Sequence, residues 1–491
     1  MGGDRPLLLG IDLGTTNVKA LVAEADGRLV SEGSAPVGIT FRPGGAAEQD
    51  IEEIWRATIS ALTGALAGVE SRHGRAIGVS SQGGAIQVLD PAGNPVGPVI
   101  GWQDSRGLPW DNTLTAKMGR DWFISHTGFA RGSGAVGQLL RLRDEGALPA
   151  DYVLAFAGDM VVGRLCGRRA HEATNLSEPC LFNPRTGTAD HELMEILGLD
   201  ERRMPVLLPV GEPAGGLLPE AARILGLEAG IPVGPAVHDQ YAAALGSATV
   251  RSGETMLGTG TTWSILAVTD RLMPPVAGIA MVGRHVVPGL FGQMLSMVNG
   301  GSSLSWAART LSLGELGIAD MDRILASVPP GSAGLGFWPL LSPLGGGALP
   351  PGTTGRLDGL RLDHTPAHIV RAVVEGLACE LGRYLQLMER EGLGVDRLVM
   401  CGKAASSEVT PQVIADTTGR AVLCSALAET TCLGAAVLAR VLLEPRSDLA
   451  AMADAMKPSM RRVSPGPDAG PAKVRLQRYL AGVPGATGRA G

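Results

Sequence analysis

Gly10-Ile11-Asp12-Leu13-Gly14-Thr15-Thr16-Asn17-Val18-Lys19 is the stretch that decides the fold. An apolar run from Leu7 to Ile11 stops at Asp12, Gly14-Thr15-Thr16 form a turn, and Val18 to Glu24 is extended again up to an Asp26-Gly27 hairpin signal. The chain is therefore expected to open with a β-hairpin. A glycine for close backbone approach, two hydroxyls and the turn's N–H groups suit polyphosphate oxygens, an acidic residue at the strand end suits Mg²⁺, and Lys19 adds positive charge. The structural alternative is an ordinary hairpin with a surface aspartate. The theme returns downstream. Glu254 to Leu257 is extended, Gly258-Thr259-Gly260-Thr261-Thr262 is a second Gly/Thr turn, and Trp263 to Val268 is strand-like, so two related halves are expected.

Between these turns, Asp50 stands as N-cap to an amphipathic helix carrying Ile51, Ile54, Trp55, Ile59, Leu62 and Leu66, and Ala76 to Ser80 is a strand. Gln82-Gly83-Gly84 follows it. Trp102-Gln103-Asp104-Ser105-Arg106 brings an indole, an amide, a carboxylate and a guanidinium together, a set suited to a polyhydroxylated ligand or equally to a structural ion pair under a Trp. Ile231 to Val237 reads as a buried strand leading into His238-Asp239-Gln240 and a helix from Tyr241 to Ala248. Asp239 thus stands at the carboxyl end of a strand, where open α/β sheets bind ligands. It could accept the proton of a substrate hydroxyl attacking a γ-phosphoryl group; helix N-capping is the alternative.

Beyond the second turn, Gly300-Gly301-Ser302-Ser303 is a weak small-residue motif, and Thr365-Pro366 opens a long helix running to about Glu391. Arg397 to Cys401 is a short strand and Pro411 to Thr417 a helix, with Gly402-Lys403-Ala404 between them able to admit a flat base or a ribose. From about Pro445 the composition predicts a loosely held tail. The domain boundary is placed near Gly246 to Ser252.

The 491 residues exceed an ordinary single domain and predict two or three; 45% hydrophobic and 18% charged residues mark a globular chain. A net charge of −6 offers no attraction to a phosphate backbone or anionic lipid, so no nucleic acid and no membrane is expected as partner. Glycine, at 70 residues, clusters in turns beside apolar strands, as expected for loops that approach a ligand closely. The six cysteines show no Cys-x-x-Cys spacing and are expected to be reduced thiols. No signal-type leader or clean membrane span is found, and a cytoplasmic location is expected. Gly402-Lys403 lacks the glycine and the Ser/Thr of a Walker A loop, and Trp263 stands where a dinucleotide fingerprint needs its third glycine.

Taken in order, GIDLGTTNVKA, GVSSQGGAIQVLD, GWQDSR, HDQYAAALG, GTGTTW and CGKAASSEVTPQVIADTTGRAV with CLGAAVLA resemble the FGGY carbohydrate kinase family, within the actin, heat-shock chaperone and hexokinase fold group (ASKHA). The resemblance spans nearly the whole chain. It implies an α/β architecture of two RNase H-like domains, each with a mixed sheet, flanking a deep catalytic cleft. Residues 1–246 would form the N-terminal domain with the sugar site and the base, 247–445 the ATP-binding C-terminal domain, and 446–491 a partly loose extension. ATP and Mg²⁺ are the implied cofactors. By their place in the matching motifs, the resemblance implies that Asp239 would be the general base and that Asp12 and Asp239 would hold the metal. Thr15, Thr16, Lys19, Gly258, Thr259, Gly260, Thr261, Gly301, Gly402, Lys403 and Ala404 surround the nucleotide. Gln82, Gly83, Trp102, Asp104, Arg106, Asp239 and Gln240 surround a small sugar. Family members are often homodimers.

The chain departs from the family on the sugar side. Glycerol kinases carry an Arg-Glu pair after the glutamine matching Gln82, and xylulokinases carry Met-His; here both positions are glycine, Gly83 and Gly84. The segment Phe337 to Gly345 resembles the family's Pro-Tyr-Leu-x-Gly-Glu-Arg region without its Glu-Arg. The expected activity is phosphorylation of a terminal hydroxyl of a pentulose or hexulose, in a xylulokinase-like manner. The alternatives are a kinase of a tetritol or heptulose, and an ATP-driven conformational protein of the same fold group.

Overall fold

The computed structural model describes residues 6–69, 73–341, 349 and 353–484. Leu7–Leu13 and Asn17–Glu24 form the opening hairpin, with Asp12 opposite Lys19 and Leu13 opposite Val18. Leu29–Pro36 continues it antiparallel, and Gly74–Ser81 pairs parallel to Leu7–Leu13 on the other side. Pro232–His238 pairs parallel to Gly74–Ser81. These strands are the centre of an eight-stranded mixed sheet that ends on the short strands Ala170–His171 and Val206–Leu207.

The first strand is apolar on both faces because both faces are covered. Leu7, Leu9, Ile11 and Leu13 point into a core shared with the helix Ile51–Leu66, whose cap is Asp50, its side chain accepting from the Glu52 amide. Leu8 points the other way, into a core shared with the helices Asp239–Gly246 and Thr430–Leu443.

The second half repeats the plan. Glu254–Thr259 and Trp263–Thr269 form a hairpin, Phe291–Ser296 and Met281–Arg284 extend it, and Arg397–Cys401, Val422–Ser425 and Met460–Val463 complete a seven-stranded mixed sheet. Leu257 and Ile265 pack on the long helix Pro366–Arg390, capped by Thr365. Met256 and Leu266 share the core of Leu8. The helix pair Asp239–Gly246 and Thr430–Leu443 is thus a layer buried between two sheets, and the architecture is the two-half α/β fold expected from the repeated turn. A separate five-stranded sheet, from Thr40–Arg42 to Val153–Phe156, sits beside the first half over its own apolar core.

Glycines make the central layer possible. A Cβ on Gly10 would lie 2.0 Å from the Cys432 carbonyl oxygen, and one on Gly78 would lie 1.9 Å from that of Ala435. The two helices touch through Gly246 and Gly434, whose Cβ positions fall 1.9 Å and 1.7 Å from the carbonyl oxygens of Thr430 and Ala242. These glycines serve backbone packing, a use distinct from the ligand-approaching turns expected from composition.

Three local expectations are corrected or refined. The helix after His238 begins at Asp239, because His238 takes the cap position. The Gly402–Ser407 loop contains a 3-10 turn over Lys403–Ser406. The loosely held tail is overturned over most of its length: Leu449–Met456 and Ala469–Ala481 are helices and Met460–Val463 is a sheet strand. The reason is packing, since Met452, Met456, Leu476 and Tyr479 are all buried. Ser342 to Gly345 of the divergent Phe337 segment lie outside the described residues. All six cysteines are free and buried, and among the described residues no helix is long and apolar enough to cross a membrane.

Candidate active site

Three neighbouring parallel strands end together. Asp12 is the register partner of Ser80, Ser81 that of His238, and Asp239 begins the helix that follows. Ser80 Oγ donates to Asp12 Oδ1 at 3.2 Å. Because His238 occupies the cap position, Asp239 is not consumed by capping; its carboxyl is 28% exposed, with Oδ1 3.1 Å from His238 Nδ1. Burial, followed by the Asp239 carboxylate, raises Asp12 from 3.8 to about 7 against the pull of Lys19. Burial would lower His238, but the carboxylates of Asp239, Glu178 and Glu172 outweigh it and hold the imidazole above its ordinary value.

A divalent cation suits this carboxylate pair, because it would relieve the repulsion that disfavours ionised Asp12. Among the described residues, however, no group of three or more His, Cys, Asp or Glu is arranged to hold a metal. The donor set therefore fits Mg²⁺, which characteristically takes one or two carboxylates and completes its shell with water and substrate phosphates.

Lys19 is held differently from the expectation. Its Nζ lies 2.6 Å from Glu429 Oε2, at the entrance of the Thr430–Leu443 helix, so the first turn is tied electrostatically to a segment 410 residues away. Thr15 Oγ1 accepts from Trp102 Nε1 at 3.1 Å and its carbonyl from Gln49 Nε2 at 2.9 Å, whereas Thr16 is exposed with only its neighbour Asn17 on its hydroxyl.

The second turn gathers the remaining nucleotide-side candidates. Gly258 is the register partner of Cys401, so Gly402, with φ +89°, turns directly over Thr259; a Cβ there would meet the Thr259 carbonyl oxygen at 3.1 Å. Thr259 Oγ1 donates to the Cys401 carbonyl at 2.5 Å. The amides of Gly301 and Ser302 donate to the carbonyls of Gly260 and Thr261 at 3.1 and 2.9 Å, placing the Gly301–Thr310 helix start on the turn. Gly258, Thr259, Gly260, Thr261, Gly301, Gly402, Lys403 and Ala404 therefore share one end of the second sheet. The two halves are linked here by Gln240 of the Asp239–Gly246 helix, whose Oε1 accepts from Ser264 Oγ of the Trp263–Thr269 strand at 2.6 Å. Its amide oxygen is thus engaged by a strand of the opposite half.

On the sugar side the structure separates the candidates. Gln82 is buried, its Nε2 donating to Gln49 Oε1 at 2.8 Å while its own Oε1 has no partner. Trp102 is 40% exposed and holds the first turn through Thr15. Asp104 is a correction: its side chain has no exposed surface. Oδ2 accepts from the Ala47 amide, Oδ1 from Gln138 Nε2, and both from the Arg106 guanidinium, which also reaches Glu48 at 2.7 Å. Despite burial, these donors, Arg106 foremost, hold Asp104 below the usual carboxylate range. The Asp104–Arg106 pair thus locks the Ala46–Gln49 strand to the Ala135–Asp144 helix, with the Asp104 oxygens taken up by protein donors.

Sequence reasoning missed Gln49, Glu429 and Glu178. Gln49 and Glu429 reach the site from sequence-distant elements and belong to no motif. Glu178 follows the short helix Thr174–Ser177 and comes against Gly83 and Gly84; the only trace of it in the sequence is that both those residues lack a side chain.

Residues 7–246 match the model of the FGGY family of carbohydrate kinases, N-terminal domain, and residues 255–443 match that of the C-terminal domain. A probable L-xylulose kinase of Pasteurella multocida is 28% identical over 96% of this chain and 97% of its own. Glycerol kinase 2 of Streptomyces coelicolor is 30% identical over 88% of each. The crystal structure of a xylulose kinase from Rhodospirillum rubrum superposes with a TM-score of 0.83 at 24% identity, covering 97% of this chain and 98% of that one, a likeness of fold.

Proposed function

The chain belongs to the FGGY family of carbohydrate kinases, which take ATP as phosphate donor, and from that premise we propose that it phosphorylates a terminal hydroxyl of a pentulose or hexulose. Membership in a kinase family sets aside the alternative of a purely conformational ATPase. The observation that carries the reading is that Asp12 and Asp239 stand together at the strand ends of the first sheet, and that the helix Asp239 begins is hydrogen-bonded through Gln240 to Ser264 of the strand that follows the second Gly/Thr turn.

In this reading Asp239 accepts the proton of the substrate hydroxyl as its oxygen forms the new bond to the γ-phosphorus and the bond to the β–γ bridging oxygen breaks, releasing ADP. Asp12, with Asp239, would hold Mg²⁺; when bound, that ion offsets charge on the phosphoryl oxygens. The Thr15–Thr16 and Gly258–Thr261 turns would grip the phosphates, and Gly402 to Ala404 would border adenosine. Lys19 would act from its pairing with Glu429, moving with the helix that Glu429 precedes. We place the domains at 1–246 and 247–445, with 446–491 as an extension whose described part, to residue 484, packs on the second half.

Glycerol is disfavoured because neither Gly83 nor Gly84 has a side chain to grip a three-carbon polyol, whereas a longer ketose can draw on further contacts. A coupled ADP-release assay with Mg·ATP across C3 to C7 ketoses and polyols tests this. A pentulose or hexulose should give the highest kcat/KM, and a preference for glycerol would sink the substrate reading. Asp239→Asn should lose ~10²–10⁴-fold in kcat while keeping nucleotide affinity; near-normal turnover would remove Asp239 from the mechanism.

A further inference from the structure

Gly83 and Gly84 have not left a vacancy. A Cβ on Gly83 would stand 2.4 Å from His238 Nε2 and 3.1 Å from Glu178 Oε2. One on Gly84, whose φ is +66°, would stand 2.2 Å from Glu178 Oε2. The space that two side chains would enter is occupied by a carboxylate and an imidazole from other elements: Glu178 after the Thr174–Ser177 helix, and His238 at the end of its strand.

Glu178 Oε2 is buried and has no hydrogen-bond partner among the described residues. Such an oxygen is costly to leave unpaired and calls for a donor. Burial foremost, and then the Asp239 carboxylate, push Glu178 above the usual carboxylate range, while His238 favours its ionised form. Glu172 lies beyond, accepting from Thr174 Oγ1 at 2.7 Å and acting on the same imidazole. Asp239, with Oδ1 3.1 Å from Nδ1, and the carboxyls of Glu178 and Glu172 thus all act on one imidazole. A ligand hydroxyl would satisfy Glu178, whereas a ligand carboxylate would offer its oxygen no donor and would bring a further acidic group beside Asp239 at low dielectric.

Resting on the sugar-kinase reading above, we propose that Glu178 is a substrate-binding residue that replaces, from a different element, the polar pair other family members carry after the matching glutamine, and that it selects uncharged polyhydroxy substrates over sugar acids. Glu178 accepts a hydrogen bond from a substrate hydroxyl next to Asp239. Gly83 and Gly84 are the residues that let it approach.

The test uses the full-length enzyme and its Glu178→Gln and Glu178→Ala variants. Binding of neutral ketoses, polyols and aldonates is measured calorimetrically without nucleotide, and kcat and KM with Mg·ATP. A lost hydrogen bond to a charged group predicts a ~10–100-fold rise in Kd and KM for the neutral substrate. The KM for ATP should not move, and the ratio of neutral to acidic substrate kcat/KM should fall at least ~10-fold in Glu178→Gln, where the charge alone is removed. Gly84→Ala, whose Cβ displaces the Glu178 carboxylate, should reproduce the sugar-specific loss, which covers the case in which a Glu178 variant does not fold. Unchanged sugar Kd and unchanged selectivity in the folded variants, or a wild-type preference for an aldonate, overturns the assignment. Sugar binding that depends on Glu178 without phosphoryl transfer would instead overturn the kinase reading and leave Glu178 in place.

Discussion

Asp104 and Asp239 are both aspartates in motifs that match the family, yet their surroundings give them opposite uses. Asp104 is saturated by donors and its side chain has no exposed surface, so Asp104→Asn is expected to cost stability, about 1–3 kcal/mol because Arg106 keeps Glu48. Chemical denaturation would show that loss, and sugar KM in the folded variant should stay within about twofold. A large KM change without a stability change would return Asp104 to the ligand. Asp239, first in its helix and partly exposed, has its carboxyl available to a substrate. His285, packed edge-on against Tyr241, provides a pH prediction. Burial depresses it from 6.5 to about 3, so between these values the unfolded chain binds more protons than the folded one, and stability falls as pH falls through that window. His285→Asn should remove this contribution. The Tm difference between wild type and variant should therefore shift in the variant's favour as pH drops from 7 to 4, and a difference independent of pH would contradict the assignment.

At the scale of elements, the helix pair between the sheets depends on missing side chains. Gly434 meets the Ala242 carbonyl and Gly246 the Thr430 carbonyl, both at distances no Cβ can share. Gly434→Ala must push the two helices apart and is expected to destabilise by about 3 kcal/mol or more. Gly470→Ala, in the Ala469–Ala481 helix with open space around its Cβ position, should be neutral or stabilising by a few tenths of a kcal/mol to about 1. Denaturant midpoints of the two variants check the contrast; equal effects would mean that the helix contact yields. The helical and strand periodicities were legible here because each depends on neighbouring residues. The close approach of Gly10, Gly78, Gly246 and Gly434 was not, since a glycine in a strand or helix looks the same whether a distant backbone lies against it or not.

Across the whole molecule, one core mixes the halves: Leu8, Leu21 and Ala76 from the first sheet pack with Met256, Leu266 and Val399 from the second around the shared helices. Calorimetry of the ligand-free protein should therefore show a single cooperative transition, and a chain truncated after residue 246 should expose the face of Gly10 and Gly78 and fail to fold alone. Two well-separated transitions would contradict this. The C-terminal segment belongs to the same argument. Its Pro- and Gly-rich composition predicts a loose tail, but Met460–Val463 joins the second sheet and Tyr479 buries its ring against Trp338. The amino-acid sequence by itself determined the repeated hairpin turn, the strands and helices nearest to it and the strand-end positions of Asp12 and Asp239, because these are written in local spacing, and its motifs carried the resemblance to the family. Only the tertiary structure decided that Asp104 is locked away, that Lys19 is paired with Glu429, and that Glu178 fills the space beside Gly83 and Gly84. Those outcomes depend on which distant segments the packing brings within a few ångströms, and local spacing carries no record of that.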